Sequence, residues 1–150
     1  MDASELKKIT ERLVGIPKGW RALMEQRMEP YGLSQAKWLA LYKLDEAGHP
    51  LPQVDLAARI GIEPATLVRL LDRMEAEGWI SRQADAHDRR CKLVVLQPHA
   101  QTVLPGVKTT LDELRNEVMG ALNHDELTAF RTALGKIQDR IATLNTKESI

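Results

Sequence analysis

The chain has 150 residues, 43% of them apolar, and its 21 Lys plus Arg balance 21 Asp plus Glu to a formal net charge of zero. That length suits one domain or two small intimate ones, and the zero balance removes any argument for nucleic-acid binding from bulk charge; only a local, oriented cluster of cations would make one. No apolar stretch approaches the roughly 18 residues that cross a bilayer, no secretory signal pattern is seen, and the single cysteine, Cys91, permits no internal disulfide, so a cytoplasmic protein is expected.

Taken in chain order, the pattern is mainly helical. Leu6, Ile9, Leu13, Ile16, Trp20, Leu23, Met24 and Met28 recur at helical spacing, with Ser4 as the expected N-cap. Pro17, inside "GIPKG", lacks an N–H and clashes with the preceding turn, so a kink or a split helix is expected there. "EPYGLS" (29–34) reads as a turn. Ser34 then caps a helix through Trp38, Leu41 and Leu44 that stops at Gly48. "HPLP" (49–52) must be extended or turned.

Two short helices follow. "QVDLAARI" (53–60) ends at Gly61, and Pro64 suits the first turn of the next helix, where a missing N–H costs little. Leu67, Leu70, Leu71 and Met74 form that helix's apolar face, and Gly78 stops it. "WISRQ" (79–83) and "CKLVVLQ" (91–97) read as strands, joined by a polar segment (84–90) too long for a two-residue turn. Pro98 opens a second long helical region with Val107, Leu111, Leu114 and Val118 on one stripe. Asn123 and Glu126 stand in capping-box positions. Leu127, Phe130, Leu134, Ile137, Ile141 and Leu144 then make a heptad-like seam, and "TKESI" is a polar tail.

Residues 53–97 therefore run helix, tight connection, helix, strand, loop, strand, the order of a winged helix-turn-helix. In that arrangement the second helix fits a DNA major groove while the first braces it. Pro64, Ala65, Thr66, Val68 and Arg69 would face the groove. Thr66 can donate to a phosphate or base, and Arg69 can fork onto guanine O6 and N7. Residues 86–92, at the tip, hold three cations, Arg89, Arg90 and Lys92, against one acid, Asp88. They are either solvated loop charges or a probe of the minor groove, where narrow A·T tracts concentrate negative potential. Asp88 and Arg90, two residues apart in an extended segment, can pair and leave Arg89 outward. The alternative for 53–78 is two amphipathic helices of a bundle.

The segment "DLAARIGIEPATLVRLLDRMEAEGWISRQADAHDRRCKLVVL" resembles the DNA-binding domain of MarR-type transcription regulators, and of their SlyA/RovA-like subgroup in particular. "WRALMEQRMEPYGLSQAKWLAL" (20–41) is similar to that subgroup's first two helices, and the resemblance spans about 5–146. It implies a homodimer joined through both chain ends, with one recognition helix and one wing per subunit on a pseudo-palindromic operator. The expected organisation is a dimerisation helix at 1–33, a winged helix-turn-helix at 34–97 and dimerisation helices at 98–150. The expected DNA-binding set is Ser34, Gln53, Pro64, Ala65, Thr66, Val68, Arg69, Arg73, Arg82, Asp88, Arg89, Arg90 and Lys92.

The resemblance also implies release from DNA by a small aromatic acid. Matching positions are Lys18, Trp20, Arg21, Ala36, Lys37 and Trp38, with Lys37 where the subgroup usually has His; the other reading makes the tryptophans core anchors. Cys91 beside two arginines invites a lowered thiol pKa, or it is an inert small residue at a strand start. His49, His87, His99 and His124 show no metal-ligand spacing, and no phosphate loop, nucleophile elbow or paired-carboxylate motif occurs. No metal, cofactor, membrane partner or enzymatic activity is expected. A helical dimer serving protein interaction without DNA binding is the competing function.

Overall fold

The computed structural model describes residues 2–147; the expected polar tail falls, from Glu148 onward, outside them. The chain divides into two compact units with the boundary after Leu111.

The first unit opens with α1 (Ala3–Met28). Its N-cap is Asp2, whose side chain accepts from the Ser4 amide, rather than Ser4 itself. Pro17 lies within one unbroken helix, so the expected split does not occur. The reason is local: residues 14–19 are exposed, so water can meet the Leu13 carbonyl that proline leaves without a donor. Only Met24 and Met28 of the α1 stripe are buried, while Leu6, Ile9, Ile16 and Leu23 stay exposed. A 3-10 turn (Glu29–Tyr31) leads to α2 (Gln35–Ala47). Ser34 caps α2 by accepting from the Lys37 amide, and Gly48 ends it in the left-handed region at φ 71°, as expected from the spacing.

Next come β1 (Leu51–Pro52), α3 (Gln53–Ile60), α4 (Pro64–Ala76), β2 (Ile80–Ala84) and β3 (Lys92–Leu96). The three strands form an antiparallel sheet in the order β1-β3-β2, with Leu51 opposite Val94 and Arg82 opposite Val94 on the other side. The two-residue β1 was not separable from a turn in the sequence, because Pro52 cannot donate to a ladder. α3 and α4 meet at Gly61, held at φ 76° with its amide bonded to the Ala57 carbonyl. Leu56, Leu67, Leu70, Leu71 and Met74 are buried with Leu41, Leu44, Ile80 and Val94. Each such fully buried side chain contributes roughly 1.5–3 kcal/mol relative to exposure, which fixes the rotation of α4 about its axis. α5 (Pro98–Met119) starts in this unit, burying Ala100, Leu104, Val107 and Leu111. Gly106 faces the Tyr31 ring, whose hydroxyl is 3.1 Å from the Thr110 hydroxyl.

The second unit holds the end of α5, where Leu114 is buried, and α6 (His124–Lys147). Asn123 and Glu126 form the expected reciprocal capping box at 3.0 and 2.8 Å. The heptad seam on α6 is largely uncovered: Phe130, Ile137, Ile141 and Leu144 are exposed, while Leu127 and Leu134 are half-buried. Among the described residues no helix is long and apolar enough to cross a membrane.

Candidate nucleic-acid interface

α4 begins cleanly. Glu63 is extended and its carbonyl accepts from the Thr66 and Leu67 amides, and Pro64 occupies the first turn. With Leu67, Leu70, Leu71 and Met74 turned inward, the 100° step per residue leaves Pro64, Ala65, Thr66, Val68, Arg69, Asp72 and Arg73 exposed. This outer face is small at its N-terminal end, carries an exposed valine next to an arginine, and becomes charged one turn later. A groove about 12 Å wide admits such a helix, the small residues allowing close approach.

The wing is an ordered loop. Asp85 donates its amide to the Cys91 carbonyl at 3.0 Å, and its carboxylate accepts from the His87 amide at 2.9 Å. Asp88 accepts from the Arg90 amide at 3.0 Å, and its carbonyl accepts from the Cys91 amide. So Asp88 does stiffen the tip through residue 90, but the partner is the Arg90 backbone rather than its guanidinium. Arg89, Arg90 and Lys92 all stay exposed. Partial burial pushes the Cys91 thiol up, with Asp85, Asp88 and Asp55 adding to it; the lowered pKa suggested by its arginine neighbours is not found.

Arg82, expected among the DNA-contacting residues, is drawn back onto α4. Its amide donates to Glu75 Oε1 at 2.8 Å, its Nε and Nη2 to Glu75 Oε2 at 3.1 and 2.7 Å, and Nη2 reaches Asp72 Oδ1 at 2.7 Å. These hydrogen bonds hold the Glu75 carboxyl below the usual carboxylate range. Asp72 and Glu75 were not singled out in the sequence. The pairs span seven and ten residues across a helix end, a strand entry and Gly78, so no helical or strand periodicity marks them. Ser34 Oγ is committed to capping α2. Gln53 opens α3 with its Oε1 buried and without a partner.

The expected effector positions lie on two helices, Lys18, Trp20 and Arg21 on α1 and Ala36, Lys37 and Trp38 on α2. Lys18 and Arg21 are exposed on α1, Trp20 is half-buried beside them in sequence, and Ala36 is half-buried on α2. Lys37 donates to both oxygens of Glu77 at 2.8 and 2.7 Å, and Glu77 also accepts from Trp79 Nε1 at 3.0 Å. Those bonds, led by Lys37, hold the Glu77 carboxyl low. Trp38 is a core residue, and its Nε1 is buried without a hydrogen-bond partner.

A family model described as the MarR family matches residues 33–92. The structure of the transcriptional regulator PA3341 is 32% identical, the match covering 90% of this chain and 98% of that one at a TM-score of 0.79. A cysteine-to-serine mutant of E. coli MarR, solved with operator DNA, is 20% identical over 91% of this chain and 99% of its own, again at 0.79. The transcriptional regulator SlyA is 18% identical over 90% and 94% at the same score. The mainly helical winged helix-turn-helix architecture expected from the sequence is therefore the fold.

Proposed function

This chain belongs to the MarR family of transcription regulators, and from that premise we propose that it is a homodimer that binds double-stranded DNA sequence-specifically. The recognition helix, 64–77, enters the major groove and the wing, 84–92, enters the adjacent minor groove. The observation that carries this reading is the pairing of a small-residue, groove-sized exposed helix face with a hydrogen-bonded wing whose three cations are all free of ion pairs among the described residues. Arg69 reads a guanine, Ala65 and Val68 meet thymine methyls, and Thr66, Arg73, Arg89, Arg90 and Lys92 hold the backbone or the minor groove. Gln53 and Ser34 lie at helix starts suited to phosphate contact. The subgroup reading, SlyA/RovA-like, rests on the "DRR" wing and the "LVRLLDRMEAEGWISR" stretch.

Dimerisation is supported by apolar surface that each unit leaves uncovered: Leu6, Ile9 and Ile16 on α1, and Ile137, Ile141 and Leu144 on α6. Contiguous exposed apolar side chains at helical spacing mark an association face. Release by a small aromatic carboxylate is favoured by one observation, the unpartnered Trp38 Nε1 one residue from Lys37. A carboxylate there would compete with Glu77 for the Lys37 ammonium.

The test is a gel shift on the DNA upstream of the chain's own gene, at several salt concentrations. Wild type is expected to prefer that DNA over random duplex. Arg89→Ala should weaken binding to all sequences, and Arg69→Ala should also relax preference at one base pair, worth roughly 1–3 kcal/mol. Wild type without sequence preference at moderate salt, or both variants binding as wild type does, would leave the protein-interaction module as the better reading.

A further inference from the structure

The outward face of α4 has a feature that works against its groove: two acids. Asp72 keeps 56% of its side chain exposed and Glu75 38%. Both lie on the helix that faces the most negative surface in the complex, and Asp72 is one turn from Arg69, a spacing at which helix side chains meet. Arg82 is the cation that answers them. Only 17% of its side chain is exposed, and Nη2 bridges a carboxylate oxygen of each acid at 2.7 Å. To reach a phosphate it would have to release both.

We infer that Arg82 does not contact DNA but masks Asp72 and Glu75, which keeps two carboxylates from repelling the operator and keeps Asp72 from taking Arg69 away from its base. The inference rests on the DNA-binding reading above. Its geometry follows from β2 turning back past Gly78 alongside α4, so that a strand residue reaches two acids one turn apart on the same side of the recognition helix. The Arg82 amide bond to Glu75 pins the strand at the same point, so wing position and helix charge are set by one residue.

The experiment measures operator affinity across a salt series for wild type, Arg82→Met, and Arg82→Met combined with Asp72→Asn and Glu75→Gln, with thermal melts confirming that each is folded. Methionine keeps the apolar stem and removes the charge. The expected result is a ten- to hundredfold loss in Arg82→Met at low salt that narrows as salt screens the acids, with the triple variant returning to within about threefold of wild type. A triple variant as weak as Arg82→Met would make Arg82 a direct phosphate contact and overturn the inference. A deficit that stays constant across the salt series would make its role purely structural and overturn it too. Arg82→Met binding like wild type would also defeat it, while leaving DNA binding intact. A wild type that binds no DNA specifically would instead defeat the functional reading itself, and this inference with it.

Discussion

At the residue scale, the groups that decide behaviour are few and their partners are specific. Glu75 is held low in the folded state, first by its side-chain hydrogen bonds to Arg82. A carboxyl depressed on folding stabilises the protein above its unfolded pKa and loses that contribution as pH falls through the folded value. Stability should therefore decline on acidification below about pH 4.5, and Glu75→Gln should remove its share of that decline. Urea midpoints measured against pH would show a shallower acid limb for the variant; identical limbs would mean that the Arg82 bonds do not persist in solution. The cationic tip was legible in the sequence because Arg89 and Arg90 are adjacent and Lys92 follows two residues on. The Arg82 bridge was not, because its partners are seven and ten residues away and meet only after the chain reverses at Gly78. The Asp88–Arg90 relation was legible in position but not in kind, since spacing cannot tell a backbone amide from a guanidinium.

At the element scale, boundaries set by proline and glycine chemistry were the readable part. Gly48, Gly61 and Gly78 all adopt positive φ at helix ends, and Pro64 stands at the start of α4, so α2, α3 and α4 could be placed from their punctuation. Gly61→Ala should cost about 1–2 kcal/mol, because an L-residue is disfavoured at φ 76°; a melt showing no loss would mean that the α3–α4 turn has changed conformation. Of the kink or split expected at Pro17, the split does not occur, because an exposed helix surface lets solvent satisfy the orphaned carbonyl. Pro17→Ala should accordingly stabilise α1, by up to about 3 kcal/mol, and raise the melting temperature. A lower melting temperature would show that proline at this position serves packing that an isolated chain does not reveal. β1 escaped notice because two residues carry no alternation.

At the scale of the whole molecule, the periodicity of α6 was legible and its partner was not. A seam repeating every three to four residues says that a helix has an apolar face; it does not say whether the cover comes from the same chain. Phe130, Ile137, Ile141 and Leu144 remain exposed in the single chain, which supports a second copy as the cover. Ile137→Asp combined with Ile141→Asp should shift sedimentation from dimer to monomer. A dimer unaffected by both would place the association face elsewhere. Zero net charge also takes its place at this scale. The balance of 21 against 21 conceals a local asymmetry, since Arg89 and Arg90 stand exposed on the wing while two acids of α4, Asp72 and Glu75, share the Arg82 guanidinium.

The central claim, that paired copies of α4 and the wing read a DNA sequence, is tested most directly by selecting duplexes from a random-sequence pool with the purified full chain at moderate salt. The expected winner is a pseudo-palindrome whose half-sites lie about one helical turn apart, with a guanine in each half-site that Arg69→Ala no longer selects. A pool that emerges without a common sequence, or with a single unrepeated half-site, would contradict it.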